Sequence, residues 1–132
     1  MTEAIRYLDV HPVLPEDTPP ELQDSYGALL APLLLNSALA AIRAGQARVA
    51  VDSATRALDR LELNDADKAK ALYRRALGRG ALKDDEEAEQ DLARAHELVK
   101  DDAAIVAELE KVRARKKEKR DKEKKAFKKL FA

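Results

Sequence analysis

Apolar residues recur three and four positions apart along most of this chain, the spacing that gathers side chains on one face of a helix. Ala50, Ala54, Ala57, Leu58 and Leu61 mark one such face over residues 47–61. Ala69, Leu72, Tyr73, Ala76 and Leu77 mark a second, with Asn64 placed to cap it and Asp65 and Asp67 suited to its positive end. Gly78 and Gly80 are expected to loosen that helix. Ala88, Leu92, Ala95 and Leu98 mark a third over residues 86–99. Asp101-Asp102 then opens a long helix toward Leu130, whose Ile105, Val106, Leu109 and Val112 are expected to cap the stack. Upstream, Thr18 before Pro19-Pro20-Glu21 is a helix start, and that helix runs to about Ala44, with a kink at Pro32 and a stop at Gly45. Before it, prolines from Pro12 to Pro20 impose an extended connector after a short helical fragment over residues 2–10. Every proline lies at or before Pro32, so nothing later forbids helix, and the predicted class is all-α.

Small residues repeat at matched places. Ala38 pairs with Ala76, Ala50 with Ala88, Ala57 with Ala95 and Leu34 with Leu72, each displaced by 38 positions. Two helices per unit, with alanine where they must approach closely, predict a tetratricopeptide-type solenoid, whose usual period is about 34 residues. The extra residues fit the linker around Leu61-Glu62-Leu63-Asn64. On this template Ala4 takes the place of Ala50 and Ala88. The organisation is then a second helix of a truncated first repeat at 1–10, a second repeat at 20–61, a third at 64–99 and a terminal helix at 101–132. A solenoid unit buries its apolar face only against neighbours, so Ile5, Leu8 and the apolar side of residues 22–35 are expected to recruit a second copy, giving a homodimer.

Composition narrows the function. The chain has 25 basic and 25 acidic residues, a formal charge of zero, and no cysteine. Disulfides, thiolate metal sites and cysteine nucleophiles are thereby excluded, and His11 and His96 stand far apart with no ligand spacing around them, so no cofactor or metal is expected. His11 reads as a loop residue and His96 as a helix-surface one. The start lacks a basic region followed by an apolar one, and the apolar stretch 26–42 is too short and too interrupted for a membrane span. The expected setting is cytoplasmic, with no nucleic-acid or membrane partner. Enzyme readings fail as well: Gly78-Arg79-Gly80 is no phosphate loop, Ser25, Ser37 and Ser53 lack partners, and Asp84-Asp85-Glu86-Glu87 reads as a solvated helix start.

The segments Leu33-Leu34-Leu35-Asn36-Ser37-Ala38 and Lys70-Ala71-Leu72-Tyr73-Arg74-Arg75-Ala76, with the ending Lys124-Lys125-Ala126-Phe127-Lys128-Lys129-Leu130-Phe131-Ala132, resemble the carboxy-terminal half of the large, forty-kilodalton cyclophilins, a cochaperone family. The resemblance covers nearly the whole chain. It implies a carboxylate-clamp tetratricopeptide domain that docks the Met-Glu-Glu-Val-Asp tail of the ninety-kilodalton heat-shock chaperone. The family's prolyl isomerase resides in a separate β-rich domain with no counterpart here. Asn36, Lys70 and Arg74 match the clamp. Physical chemistry supports the match, because Lys70 and Arg74 are four apart on one helical face and suit a ligand ending in carboxylates. A Lys and an Asn of the family's first helix have no match, so the expectation is weakened peptide binding.

The carboxy-terminal stretch is a second candidate site. Residues 111–132 hold 12 basic and 3 acidic residues, a charge of +9, and residues 1–110 carry the compensating −9. Lys124, Lys125, Lys128 and Lys129 stand beside Phe127 and Phe131, a basic amphipathic end of the kind that engages calmodulin or an anionic surface. The neutral total therefore hides an acidic body and a basic helix, which weakens the case against anionic partners for the tail alone. The alternative function is thus a structural or self-associating fragment whose basic helix recruits an acidic partner.

Overall fold

The computed structural model describes residues 20–131, with side chains described for 27–131. The fragment at 2–10, the connector after it, His11 and the dimer surface read from Ile5 and Leu8 lie outside the described residues. Five helices follow one another: α1 (Pro20–Arg43), α2 (Ala47–Arg60), α3 (Asp65–Ala81), α4 (Asp85–Leu98) and α5 (Ala103–Leu130). No strand occurs among the described residues. Each helix packs on the next, and α1 also packs on α3, so the first helices of successive hairpins are neighbours, as in a tetratricopeptide-like stack.

The 38-residue displacement seen in the sequence is reproduced by the backbone. α2 and α4 begin at 47 and 85 and end at 60 and 98, and α1 and α3 end at 43 and 81. Both hairpin turns close in the same way. Gln46 N–H donates to Ala41 O at 2.8 Å and Gly45 N–H to Ile42 O at 3.1 Å; Asp84 N–H donates to Arg79 O at 2.8 Å and Lys83 N–H to Gly80 O at 3.0 Å. These are the paired bonds that satisfy a helix's last carbonyls around a left-handed residue. Gly45 has φ 73° and Lys83, its counterpart 38 residues on, has φ 65°.

All eight residues paired by the repeat are buried: Ala38, Ala76, Ala50, Ala88, Ala57, Ala95, Leu34 and Leu72. Leu72 and Leu92 centre the larger core with Ile105, Leu109 and Val112 of α5, so α5 does cover the end of the stack. A smaller cluster joins Leu30 and Leu34 of α1 to Ala57 of α2. Asn64 caps α3 by accepting from Asp67 N–H at 2.8 Å, and Asp102 caps α5 by accepting from the Ala104 and Ile105 amides.

α1 is one continuous helix with Pro32 inside it. Two local expectations change. α3 continues through both Gly78 and Gly80 to Ala81. At Gly78 the reason is packing: a Cβ there would stand 2.9 Å from Val51 Cγ2 and 3.0 Å from the Ala47 carbonyl oxygen, so α3 crosses α2 where only glycine fits. His96 is half-buried rather than superficial, and its Nδ1 is enclosed without a hydrogen-bond partner among the described residues.

Candidate functional site, the face of α1 and α3

Helix α3 carries two cation pairs at the same four-residue spacing, Lys70 with Arg74 and Arg75 with Arg79, and the fold treats them oppositely. Arg75 and Arg79 turn toward α4 and close on Asp91, which is buried. Arg75 Nε and Nη2 donate to its two carboxylate oxygens at 2.9 and 2.7 Å, and Arg79 Nη1 donates at 2.7 Å. Arg75 Nη1 also donates to Thr55 Oγ1 of α2 at 3.4 Å, and Arg79 pairs with Glu87 at 3.4 Å. This network fixes the rotation of α3 about its own axis, since its charged hydrogen bonds reach two neighbouring helices.

The other pair points away from it. Arg74 is half-buried and its Nη1 donates to the backbone carbonyl of Leu35 on α1 at 2.6 Å, which sets the guanidinium against the residue before Asn36. Lys70 and Asn36 are exposed. Neither Lys70 nor Arg74 forms an ion pair with a carboxylate among the described residues. Burial first, and then the charge of Arg43, push the Arg74 pKa below its ordinary value. Arg43 is a residue that sequence reasoning missed. Its signal was available, since it follows Asn36 by seven positions and so shares that face of α1. The structure thus brings Arg74 to the Asn36 segment and adds Arg43 to the same positive environment. A guanidinium has five N–H donors, and Arg74 spends one of them on Leu35, so the rest can meet an incoming carboxylate.

The second candidate site stands apart from this face. The first part of α5 is fastened to α4 by charge as well as by its core residues: Arg115 to Asp85 at 3.1 Å, Lys116 to Glu86 at 2.8 Å and to Glu89 at 3.3 Å, and Arg113 to Glu89 at 3.7 Å. The hydrogen bond to Glu86, opposed by burial and helped by Glu89, raises the Lys116 pKa. The acidic run expected to be a solvated helix start therefore also ties α4 to α5 and, through Glu87, to α3. Beyond Lys116 every described residue is exposed, including Lys124, Lys125, Phe127, Lys128, Lys129 and Phe131. The Phe127 and Phe131 rings pack on each other with centroids 4.7 Å apart. Among the described residues no helix is long and apolar enough to cross a membrane.

Comparison with known proteins places the whole chain in one lineage. No protein-family profile matches it. It is 46% identical over 133 residues to peptidyl-prolyl cis-trans isomerase D of Cryptococcus neoformans, in an alignment covering 98% of this chain and 36% of the relative. The protein of the same name from Mycosarcoma maydis is 39% identical over 146 residues, covering 99% of this chain and 37% of the relative. The chain thus spans little more than a third of the length of these relatives, and their isomerase name does not make an enzyme of this segment. Along 98–99% of its length the chain is thus similar to a segment, about a third of the whole, of proteins named peptidyl-prolyl cis-trans isomerase D, and among its described residues that length folds into helices without strands.

Proposed function

We propose that the face formed by α1 and α3 docks the acidic carboxy-terminal tail of a partner, and that the chain serves as the interaction module of a cytoplasmic cochaperone. The ligand is a peptide of the Met-Glu-Glu-Val-Asp type, as the resemblance to the large cyclophilins implies. One observation carries the reading: of two equally spaced cation pairs on α3, one is saturated by Asp91, while Lys70 and Arg74 have no carboxylate among the described residues. Placing cations near one another without counter-ions is unfavourable unless a ligand anion completes the site. Arg74 offers a planar fork, Lys70 a mobile point charge and Asn36 an amide donor. Each charged hydrogen bond to the peptide contributes about 1.5 to 3 kcal/mol.

The test is isothermal calorimetry of the full chain with a peptide ending in Met-Glu-Glu-Val-Asp. Lys70→Glu with Arg74→Glu is expected to weaken binding by ~100-fold or more, and amidating the peptide's terminal carboxylate to weaken it comparably. Arg43→Glu is expected to have a smaller effect in the same direction. Binding that survives the double reversal overturns the proposal.

A further inference from the structure

The projecting end of α5 has a division of labour that neither the peptide-docking face nor the packing of the stack uses. Over residues 124–131, Lys124, Lys125, Lys128 and Lys129 fall on one side of the helix, and Ala126, Phe127, Leu130 and Phe131 fall on the other. No acidic residue follows Glu123. The apolar side is the continuation of the face that α5 buries earlier, since Phe127 and Leu130 follow Leu109 and Val112 by eighteen residues, five helical turns. Leu109 and Val112 are core; Phe127, Leu130 and Phe131 are 63%, 78% and 74% exposed. Among the described residues nothing covers the second half of a face whose first half is core.

We propose that this end of α5 lies against an anionic membrane surface, with Phe127, Leu130 and Phe131 in the headgroup layer and the four lysines on lipid phosphates and carboxylates. Charge complementarity selects the occupant. The side chains anchoring α5 end at Lys116, and the first of the four lysines, Lys124, lies eight residues on, ~12 Å along the helix, against a Debye length of ~8 Å at physiological ionic strength. Because of that length, the acidic body neither captures the lysines nor screens them from an anionic surface. A groove-binding partner is disfavoured, because such helices place apolar anchors seven apart. The positions seven before Phe127 and Leu130 are Arg120 and Glu123. A second copy is disfavoured too, since two such tails repel each other and the acidic strip of Asp85, Glu86 and Glu89 is already paired with α5. An interfacial helix needs only a short apolar side and a cationic side, the pattern present. This reading does not depend on the peptide-docking face.

Vesicle sedimentation of the full chain tests it. Binding to phosphatidylcholine vesicles carrying ~30% phosphatidylserine is expected to exceed binding to phosphatidylcholine alone by ~10-fold or more, and to fall steeply with salt. Phe127→Ala with Leu130→Ala and Phe131→Ala, and separately Lys124→Glu with Lys128→Glu, are each expected to remove most of it. Lys70→Glu with Arg74→Glu is expected to leave it intact. These tail positions are exposed, so helicity by circular dichroism serves as the folding control. Equal binding to neutral vesicles, or anionic-vesicle binding indifferent to the tail variants, overturns the proposal. So does tail-dependent capture by calcium-loaded calmodulin, or tail-dependent dimerisation by light scattering, without vesicle binding.

Discussion

Replacing Asp91 by alanine tests how α3 is held. The carboxylate accepts three hydrogen bonds from Arg75 and Arg79 and is itself only 4% exposed. Its removal strands two guanidinium groups whose side chains are 13% and 20% exposed. Breaking a buried pair by deleting one partner typically costs ~3 to 5 kcal/mol. Water can reach the arginines in part, so a loss of ~2 to 4 kcal/mol is expected. Urea unfolding followed by circular dichroism measures it: the midpoint should drop with little change in slope. Asp85→Ala is the control, because its partner Arg115 is on the surface at 42% exposure, and its cost should stay within ~1 kcal/mol. Because the network also sets which way α3 faces, Asp91→Ala should weaken acidic-peptide binding even where the chain remains folded. A stability loss below ~1 kcal/mol would refute the account of Asp91 as the anchor of α3.

Three further outcomes follow from the packing. Gly78→Ala should destabilise by ~1 to 3 kcal/mol in thermal melts despite alanine's better helix propensity, because the new methyl meets Val51 and the Ala47 carbonyl. Gly80→Ala, facing only the mobile tip of Arg115 at 3.0 Å, should be neutral or stabilising. Lys83→Gly should stabilise by ~0.5 to 1 kcal/mol, because it relieves a left-handed conformation at a position whose repeat counterpart is already Gly45. The Lys116 pairing has a pH signature. Since folding raises this amine above its ordinary 10.5, its contribution is complete below that value and fades as pH climbs through the higher folded value, so α5 should loosen only in strong alkali. Hydrogen exchange comparing Lys116→Met with the parent chain checks the assignment, and identical protection in α5 would count against it.

Much of the fold was legible in the chain. The alanines and leucines displaced by 38 residues mark the helix contacts, and the caps at Asn64 and Asp102 follow from side-chain chemistry within a few residues. Gly78 was misread because a glycine in a helix looks like a weakness until the neighbouring helix is placed. His96 was misread because the enclosure of its Nδ1 depends on how α4 packs and not on its own segment.

The candidate site divides in the same way. Local pattern alone established an all-α stack of helix pairs, the caps at Asn64 and Asp102, and that cations recur at helical spacing on α3. It could not separate Lys70 and Arg74 from Arg75 and Arg79, because a four-residue interval is the same on every face of a helix. The packing of the helices shows that one pair is consumed by Asp91 and that Arg74 of the other reaches α1 at Leu35, with Arg43 beside it. It likewise decided where the face of α5 stops being core. Burial and charge pairing are set by which helix lies opposite, and that contact spans residues far apart in the chain, beyond the reach of any local pattern.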